Sequence, residues 1–178
     1  MSVPNFDRAY AFVRKMEGGD HHPTPADPNP TRWGVTQKAY DQFRKGIGQP
    51  PESVFDMDEG ECRPVYEWFW EDSKAPQLPS DNLALCHFDM YFNSPPVAAN
   101  KCLQRAVGIL ADGILGTKTL DVVRGALMQD GERALLIRMT GLRMRRYRQL
   151  VETYPHLAPN LPGWAARVTR LQKELGIG

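Results

Sequence analysis

The residues with most chemistry to offer lie together near the start of the chain. In KMEGGDHHPTPADPNPTRWGVT, residues 15–36, Glu17 ends a helical pattern at Gly18 and Gly19. A proline-rich loop follows, carrying Asp20, His21, His22, Asp27 and Thr31, and it closes on Trp33, Gly34, Val35 and Thr36. Glu17 continues the stripe Phe6, Tyr10, Val13 at helical spacing, so its carboxyl group is expected to be partly withdrawn from water. It also falls at a helix C-terminus, where the macrodipole is negative. Both effects disfavour the anion and raise the pKa. A carboxylic acid that keeps its proton near neutral pH can protonate a glycosidic oxygen. The competing reading turns Glu17 to solvent or pairs it with Lys15 or Arg14.

Such chemistry uses a second carboxylate, and Asp20 and Asp27 both lie in the loop. Either could position water or face positive charge on a sugar ring. A separation of roughly 5–5.5 Å from the acid would suit retention, and roughly 6.5–9.5 Å inversion. Asp before Pro is also an ordinary turn signal, so each could instead serve the loop. Adjacent His21 and His22 do not make a metal pair, and no further His or Cys has suitable spacing, so no metal and no cofactor is expected. Trp33 is the first candidate for stacking on a sugar face, with Tyr91 and Phe92 behind it. In the run Tyr66, Trp68, Phe69, Trp70, at least one ring should reach the surface. GxSxG, Walker A, GxGxxG and HExxH patterns do not occur.

The elements that must hold these residues are helical. After the first helix, Thr36 can cap a second over 37–45, and Asp58 a third through VYEWFWED, with Pro64 near its first turn or kinking it. Ser80 can cap a fourth, DNLALCHFDMYFN, stopped by Pro95 and Pro96. Further helices are expected at 97–107, 117–128, 131–153 and 162–175. Strand signals are weak; the prolines of 20–35 argue against a regular hairpin there. The fold class is all-α with at most a minor β element.

Bulk properties narrow the possibilities. The chain has 178 residues and 42% hydrophobic content, enough for one packed core. No apolar run approaches the roughly 20 residues that span a bilayer, and MSVPNFDRAYAFVRKMEGG has no secretory pattern. Synthesis in a cytoplasm is expected, with other machinery providing release. Three cysteines without close spacing read as buried free thiols. Residues 1–100 hold 9 Lys+Arg against 15 Asp+Glu, net −6; residues 101–178 hold 13 against 6, net +7. A basic half suits an anionic partner: nucleic acid, lipid surface or wall polymer.

EGGDHHPTPADPNPTRWGVT resembles the signature of the family-108 glycoside hydrolases, lysozyme-like N-acetylmuramidases of bacteria and phages. Glu17, Gly18, Gly19, Asp27, Pro28, Thr31, Gly34, Val35 and Thr36 carry the likeness, and the family's catalytic glutamate falls on Glu17. FDMYFNSPPVAANKCLQRAVGILADGILGTKTLDVV looks like the family's predicted peptidoglycan-binding module, through Phe88, Asp89, Asn93, Leu103, Gln104, Asp112, Gly113, Gly116 and Thr119. The ending LPGWAARVTRL is also similar. Two departures stand out. The glycine pair after Asp-Pro is Asn29-Pro30 here, and the usual Gly after Asn-Ser is Pro95.

The resemblance implies a lysozyme-like catalytic region at 1–95 and a helical peptidoglycan-binding region at 96–178 packed on it as a single compact unit. It implies cleavage of the β-1,4 bond between N-acetylmuramic acid and N-acetylglucosamine, with Glu17 as general acid. Asp20, Asp27 and Thr31 are the other catalytic candidates. Trp33, Thr36, Asp89, Tyr91 and Asn93 are candidates for substrate contact. Peptidoglycan strands are the expected partner of a monomer acting in periplasm or cell wall. Delivery would be as a phage endolysin through a holin, or as a toxin through secretion machinery. A non-catalytic wall-binding module and a lytic transglycosylase are the alternatives. A nucleic-acid reading rests on Arg143, Arg145, Arg146 and Arg148 alone and is not adopted.

Overall fold

Phe6, Ala9, Tyr10, Phe12 and Val13 recur at helical spacing, and they make the first helix, α1 (Phe6–Met16), an amphipathic one. The computed structural model describes residues 4–23 and 28–178. Their contacts divide into two units. The first is Phe6–Asp72, and the second is Ser73–Gly178, which Asn5 joins by donating its N–H to the Asp81 carboxylate (3.0 Å).

In the first unit, α1 leads into three two-residue strands: β1 (Asp20–His21), β2 (Thr31–Arg32) and β3 (Val35–Thr36). They form one antiparallel sheet in the order β1-β2-β3, with Asp20 opposite Arg32 and Thr31 opposite Thr36. These short strands are the minor β element expected of the loop. Pro23, Pro28 and Pro30 lie beside the paired residues, where no ladder N–H is needed. Helix α2 (Gln37–Gly46) begins at Thr36, whose hydroxyl accepts the Ala39 N–H (3.3 Å). A 3-10 turn (Val54–Asp56) precedes α3 (Glu59–Asp72), and the Asp58 carboxylate accepts the Glu61 N–H (2.8 Å) as its cap. Pro64 falls inside α3, past its first turn. The α1 and α3 faces meet through aromatic rings: Phe6 on Trp70 (5.8 Å) and Tyr10 edge-on to Tyr66 (5.1 Å, 89°).

The second unit is built on α4 (Asp81–Asn93), capped by Ser80. Every residue from Leu83 to Tyr91 is buried, so α4 is enclosed on all sides, mainly by α5 (Pro96–Ala106) and α7 (Glu132–Thr153). Helices α6 (Thr117–Asp130) and α8 (Leu161–Glu174) pack on α7. The α5–α6 loop is organised by Gln104. Its amide donates to Asp112 (2.6 Å) and to the Ile114 carbonyl (3.0 Å), and its oxygen accepts the Gly113 N–H (2.8 Å). Among the described residues no helix is long and apolar enough to cross a membrane, and all three cysteines are buried free thiols, as their spacing suggests.

Two titratable groups lie deep in this unit. Asp89 is fully enclosed and takes Arg143 Nη1 on Oδ2 (2.5 Å) and Arg167 Nη2 on Oδ1 (2.7 Å), joining α4, α7 and α8. Burial pushes its pKa up, but the two guanidinium groups outweigh that and hold it below the usual carboxylate range. Tyr147 accepts from Arg143 Nε (2.7 Å) and stacks on Trp164 (4.9 Å). His87, also fully buried, donates from Nε2 to the Ser73 carbonyl (3.0 Å). Burial pushes its ring down to about 4, against the pull of that hydrogen bond.

Removing the charge in Asp89→Asn leaves two buried guanidinium groups without their counter-ion. We expect a loss of about 3–5 kcal/mol, read from urea unfolding at neutral pH. His87 gives a separate pH signature. The unfolded chain takes up this proton near pH 6.5 and the folded chain only near 4, so the histidine's contribution is intact above 6.5 and lost as pH falls toward 4. Across that window wild type should lose on the order of 3 kcal/mol more than His87→Gln.

Candidate active site

The candidate site is the corner of the first unit where α1 stops. Glu17 is the residue after α1; its N–H still donates to the Val13 carbonyl (3.1 Å), so the last helical turn fixes its backbone. Gly18, at φ 66°, then turns the chain toward β1. The Glu17 side chain, half-buried, lies across the β2–β3 turn. A Cβ added to Gly34 would stand 2.6 Å from both Glu17 Cγ and Oε2, so the carboxyl arm occupies room that only glycine leaves open.

That turn is a two-residue hairpin with positive φ at both central positions, Trp33 (50°) and Gly34 (78°). Glycine adopts this geometry freely; tryptophan does so at a cost. The surroundings hold Trp33 there. Tyr66 donates its hydroxyl to the Trp33 carbonyl (2.7 Å). The guanidinium groups of Arg14 (4.4 Å) and Arg32 (4.3 Å) lie over its ring. Tyr66 is wholly buried, and its hydroxyl is pushed well above the ordinary tyrosine range by burial and then by the negative charge of Glu17. Glu17, Tyr66, Arg14 and the Trp33–Gly34 turn therefore form one cluster.

Sequence reasoning offered Trp33 as a stacking platform. In the structure its ring lies under the guanidinium groups of Arg14 and Arg32, and its carbonyl takes the Tyr66 hydroxyl. Gly34, Tyr66 and Arg32 were not singled out as site residues. The signal for Gly34 was present, since an aromatic–Gly pair between short β runs marks a tight turn. Nothing local marks Tyr66, 49 positions away from Glu17.

Of the second carboxylates, Asp20 sits on β1, largely accessible, and accepts from Arg32 Nη1 (3.2 Å). The same nitrogen donates to the Phe55 carbonyl (2.7 Å), so Arg32 ties the sheet to the 3-10 turn. Asp27 lies outside the described residues. Thr31 is on β2, and its hydroxyl donates to the Asn29 carbonyl (3.3 Å). His22 stacks on Phe55 (4.5 Å). Thr36 spends its hydroxyl on the α2 cap. Of the aromatic run, Tyr66 and Trp70 are core residues while Trp68 and Phe69 are partly exposed. Among the described residues no group of three or more His, Cys, Asp or Glu is placed to hold a metal ion.

The remaining candidates, Asp89, Tyr91 and Asn93, belong to the second unit. As direct substrate contacts the first two are corrected by burial. Asp89 has no exposed surface and Tyr91 is 6% exposed. Asn93, half-buried, accepts from Tyr147 OH (3.2 Å) and extends the network around Arg143. These residues fix helix positions.

Residues 10–94 match the family described as "Glycosyl hydrolase 108", and residues 98–169 match the "Predicted Peptidoglycan domain". No curated protein matches. Among solved structures the chain is similar to SagA of Brucella abortus, with a TM-score of 0.75 at 24% identity, covering 96% of this chain and 92% of that one. At that identity the likeness speaks for the fold.

The Glu17–Gly34 approach can be tested against an internal control. Gly34→Ala and Gly18→Ala both place alanine at positive φ, but only Gly34→Ala meets the Glu17 arm; a Cβ at Gly18 has nothing within 4 Å. Each should lose about 1–2 kcal/mol from backbone strain. Only Gly34→Ala should displace the Glu17 carboxyl resonance in a carbon-detected NMR titration.

Proposed function

From the match of residues 10–94 to the glycosyl hydrolase 108 family and of residues 98–169 to a predicted peptidoglycan domain, we propose that this chain is a peptidoglycan-directed glycoside hydrolase, an N-acetylmuramidase with Glu17 as its general acid. The bond it breaks is the β-1,4 link from N-acetylmuramic acid to N-acetylglucosamine. The observation that supports this reading is the placement of Glu17. Its backbone is fixed by the end of α1, and its side chain is laid across the Gly34 turn beside Tyr66. A carboxyl group held at a fixed, half-buried position can present its proton to a glycosidic oxygen brought against it.

In this reaction Glu17 gives its proton to the glycosidic oxygen as the C1–O bond breaks and positive charge grows on the muramic ring. Water then adds its hydroxyl to C1, and its proton passes to a carboxylate or back to Glu17. Asp20 and Asp27 are the candidates to assist the water. One observation favours a second reading. Asp20 is engaged by Arg32, and a site with one working carboxyl group suits internal capture of C1 by the muramic 6-hydroxyl, the lytic transglycosylase outcome. We further propose that the enzyme acts on wall in periplasm or at the cell surface, released by a holin or secretion machinery.

Purified protein should clear a suspension of isolated sacculi. Glu17→Gln should lower the rate by about 10²–10⁴-fold, the usual worth of a general acid, while still sedimenting with sacculi. Undiminished clearing by Glu17→Gln would remove Glu17 from the chemistry. Mass spectrometry of the products separates reducing-end muramic acid from the 1,6-anhydro form. Asp20→Asn and Asp27→Asn, made singly, identify whichever carboxylate the water step uses.

A further inference from the structure

The second unit contains a pocket of about 410 Å³ against α4, between α5 and α7. Its floor is apolar: Met90, Ala98, Cys102 and Leu142. Its polar lining is Arg105, Arg145, Arg146 and Gln149. The helical spacing explains the convergence. On α5, residues 98, 102 and 105 fall on one face; on α7, so do 142, 145, 146 and 149. Arg143 and Tyr147 leave α7 on another side to meet Asp89 and Asn93.

Among the described residues the three arginines have no acidic partner. Two other arginines of α7 are ion-paired, Arg138 with Asp130 and Arg143 with Asp89. Among the described residues no carboxylate lies within ion-pairing distance of Arg105, Arg145 or Arg146. The Arg146 Nε is buried and has no hydrogen-bond acceptor. The buried Cys102 thiol, pushed up to about 11 by desolvation, feels Arg143, Arg105 and Arg146 pulling the other way. The thiol itself donates to the Met139 carbonyl (3.4 Å) and is not a free ligand. Three like charges around one depression repel each other, and an anion seated among them relieves that repulsion.

We propose that this pocket binds a carboxylate-bearing segment of the peptide stem of peptidoglycan. The proposal rests on peptidoglycan as the partner and names the part of it that this unit reads. A glycan would call for aromatic platforms, and the lining has none. Guanidinium forks match carboxylates in two-point geometry. The apolar floor suits the aliphatic arm of an amino acid, and the volume suits a short peptide. A duplex backbone needs a broad basic surface, whereas this is a small concavity with an apolar base.

The test uses the full chain carrying Glu17→Gln, so that the wall is not digested during binding. N-acetylmuramyl-L-alanyl-D-glutamate and its diamide are titrated by calorimetry, and sacculi with and without their peptide stems are used in sedimentation. The free acid should bind at least about tenfold more tightly than the diamide, and stripping the stems should weaken sedimentation comparably. Arg146→Gln and Arg105→Gln should erase both differences, and Arg146→Lys should restore part of them, with melting temperatures confirming that each variant is folded.

Equal binding of acid and diamide, or variants that bind intact sacculi like the parent, would overturn the proposal. So would loss of binding that follows teichoic-acid phosphate or duplex DNA rather than the stems. Hydrolysis is read separately, with Glu17 restored, on glycan strands free of peptide. If those strands are never cut, the muramidase reading fails while the pocket result stands. If they are cut equally by wild type and the arginine variants, a null binding result counts against the pocket alone.

Discussion

A carboxyl arm can lie across a β-turn only where the turn has no side chain in its way. The contact between Glu17 and the bare Cα of Gly34 is the constraint on which the candidate site depends. It couples two backbone features with no sequence reason to meet, the end of α1 and the β2–β3 hairpin. The hairpin is held in an unfavourable conformation at Trp33 by Tyr66 from α3 and by two guanidinium groups over the indole. Strain of this kind survives where surrounding contacts over-determine it, as happens at functional sites. The small sheet thus acts as a brace for the one side chain that ends α1, and α3 braces the sheet.

The second unit solves a different problem. Its central helix carries Asp89 and His87 among apolar neighbours, and the two are accommodated in opposite ways. Asp89 stays charged because two arginines from α7 and α8 reach it; His87 stays neutral because burial outweighs its hydrogen bond to the Ser73 carbonyl. The basic excess of residues 101–178 then divides into two populations. Arg143 and Arg167 are interior counter-ions, whereas Arg105, Arg145 and Arg146 gather around a concavity, with no carboxylate partner among the described residues. Four arginines in six positions of α7 read as one basic cluster in the sequence. In the structure the helix turn sends one of them to the core and two to the pocket.

Much of the framework is legible in the sequence because its signals act over a few residues. Thr36, Asp58 and Ser80 cap helices by bonding an N–H three positions on, so each start could be read directly. Alternation at the helical period marked α1 through α8, and the glycines after Glu17 marked where α1 would stop. The Glu-Gly-Gly and Leu-Gln…Asp-Gly patterns pointed to the family. What the tertiary structure alone decided is what each polar side chain faces. Asp89 meets arginines 54 and 78 positions away, Trp33 is covered from α1 and β2, and Tyr66 is turned to a carbonyl 33 positions behind it. Burial and ion pairing depend on chain segments brought together after the helices form, and no window of neighbouring residues carries that information.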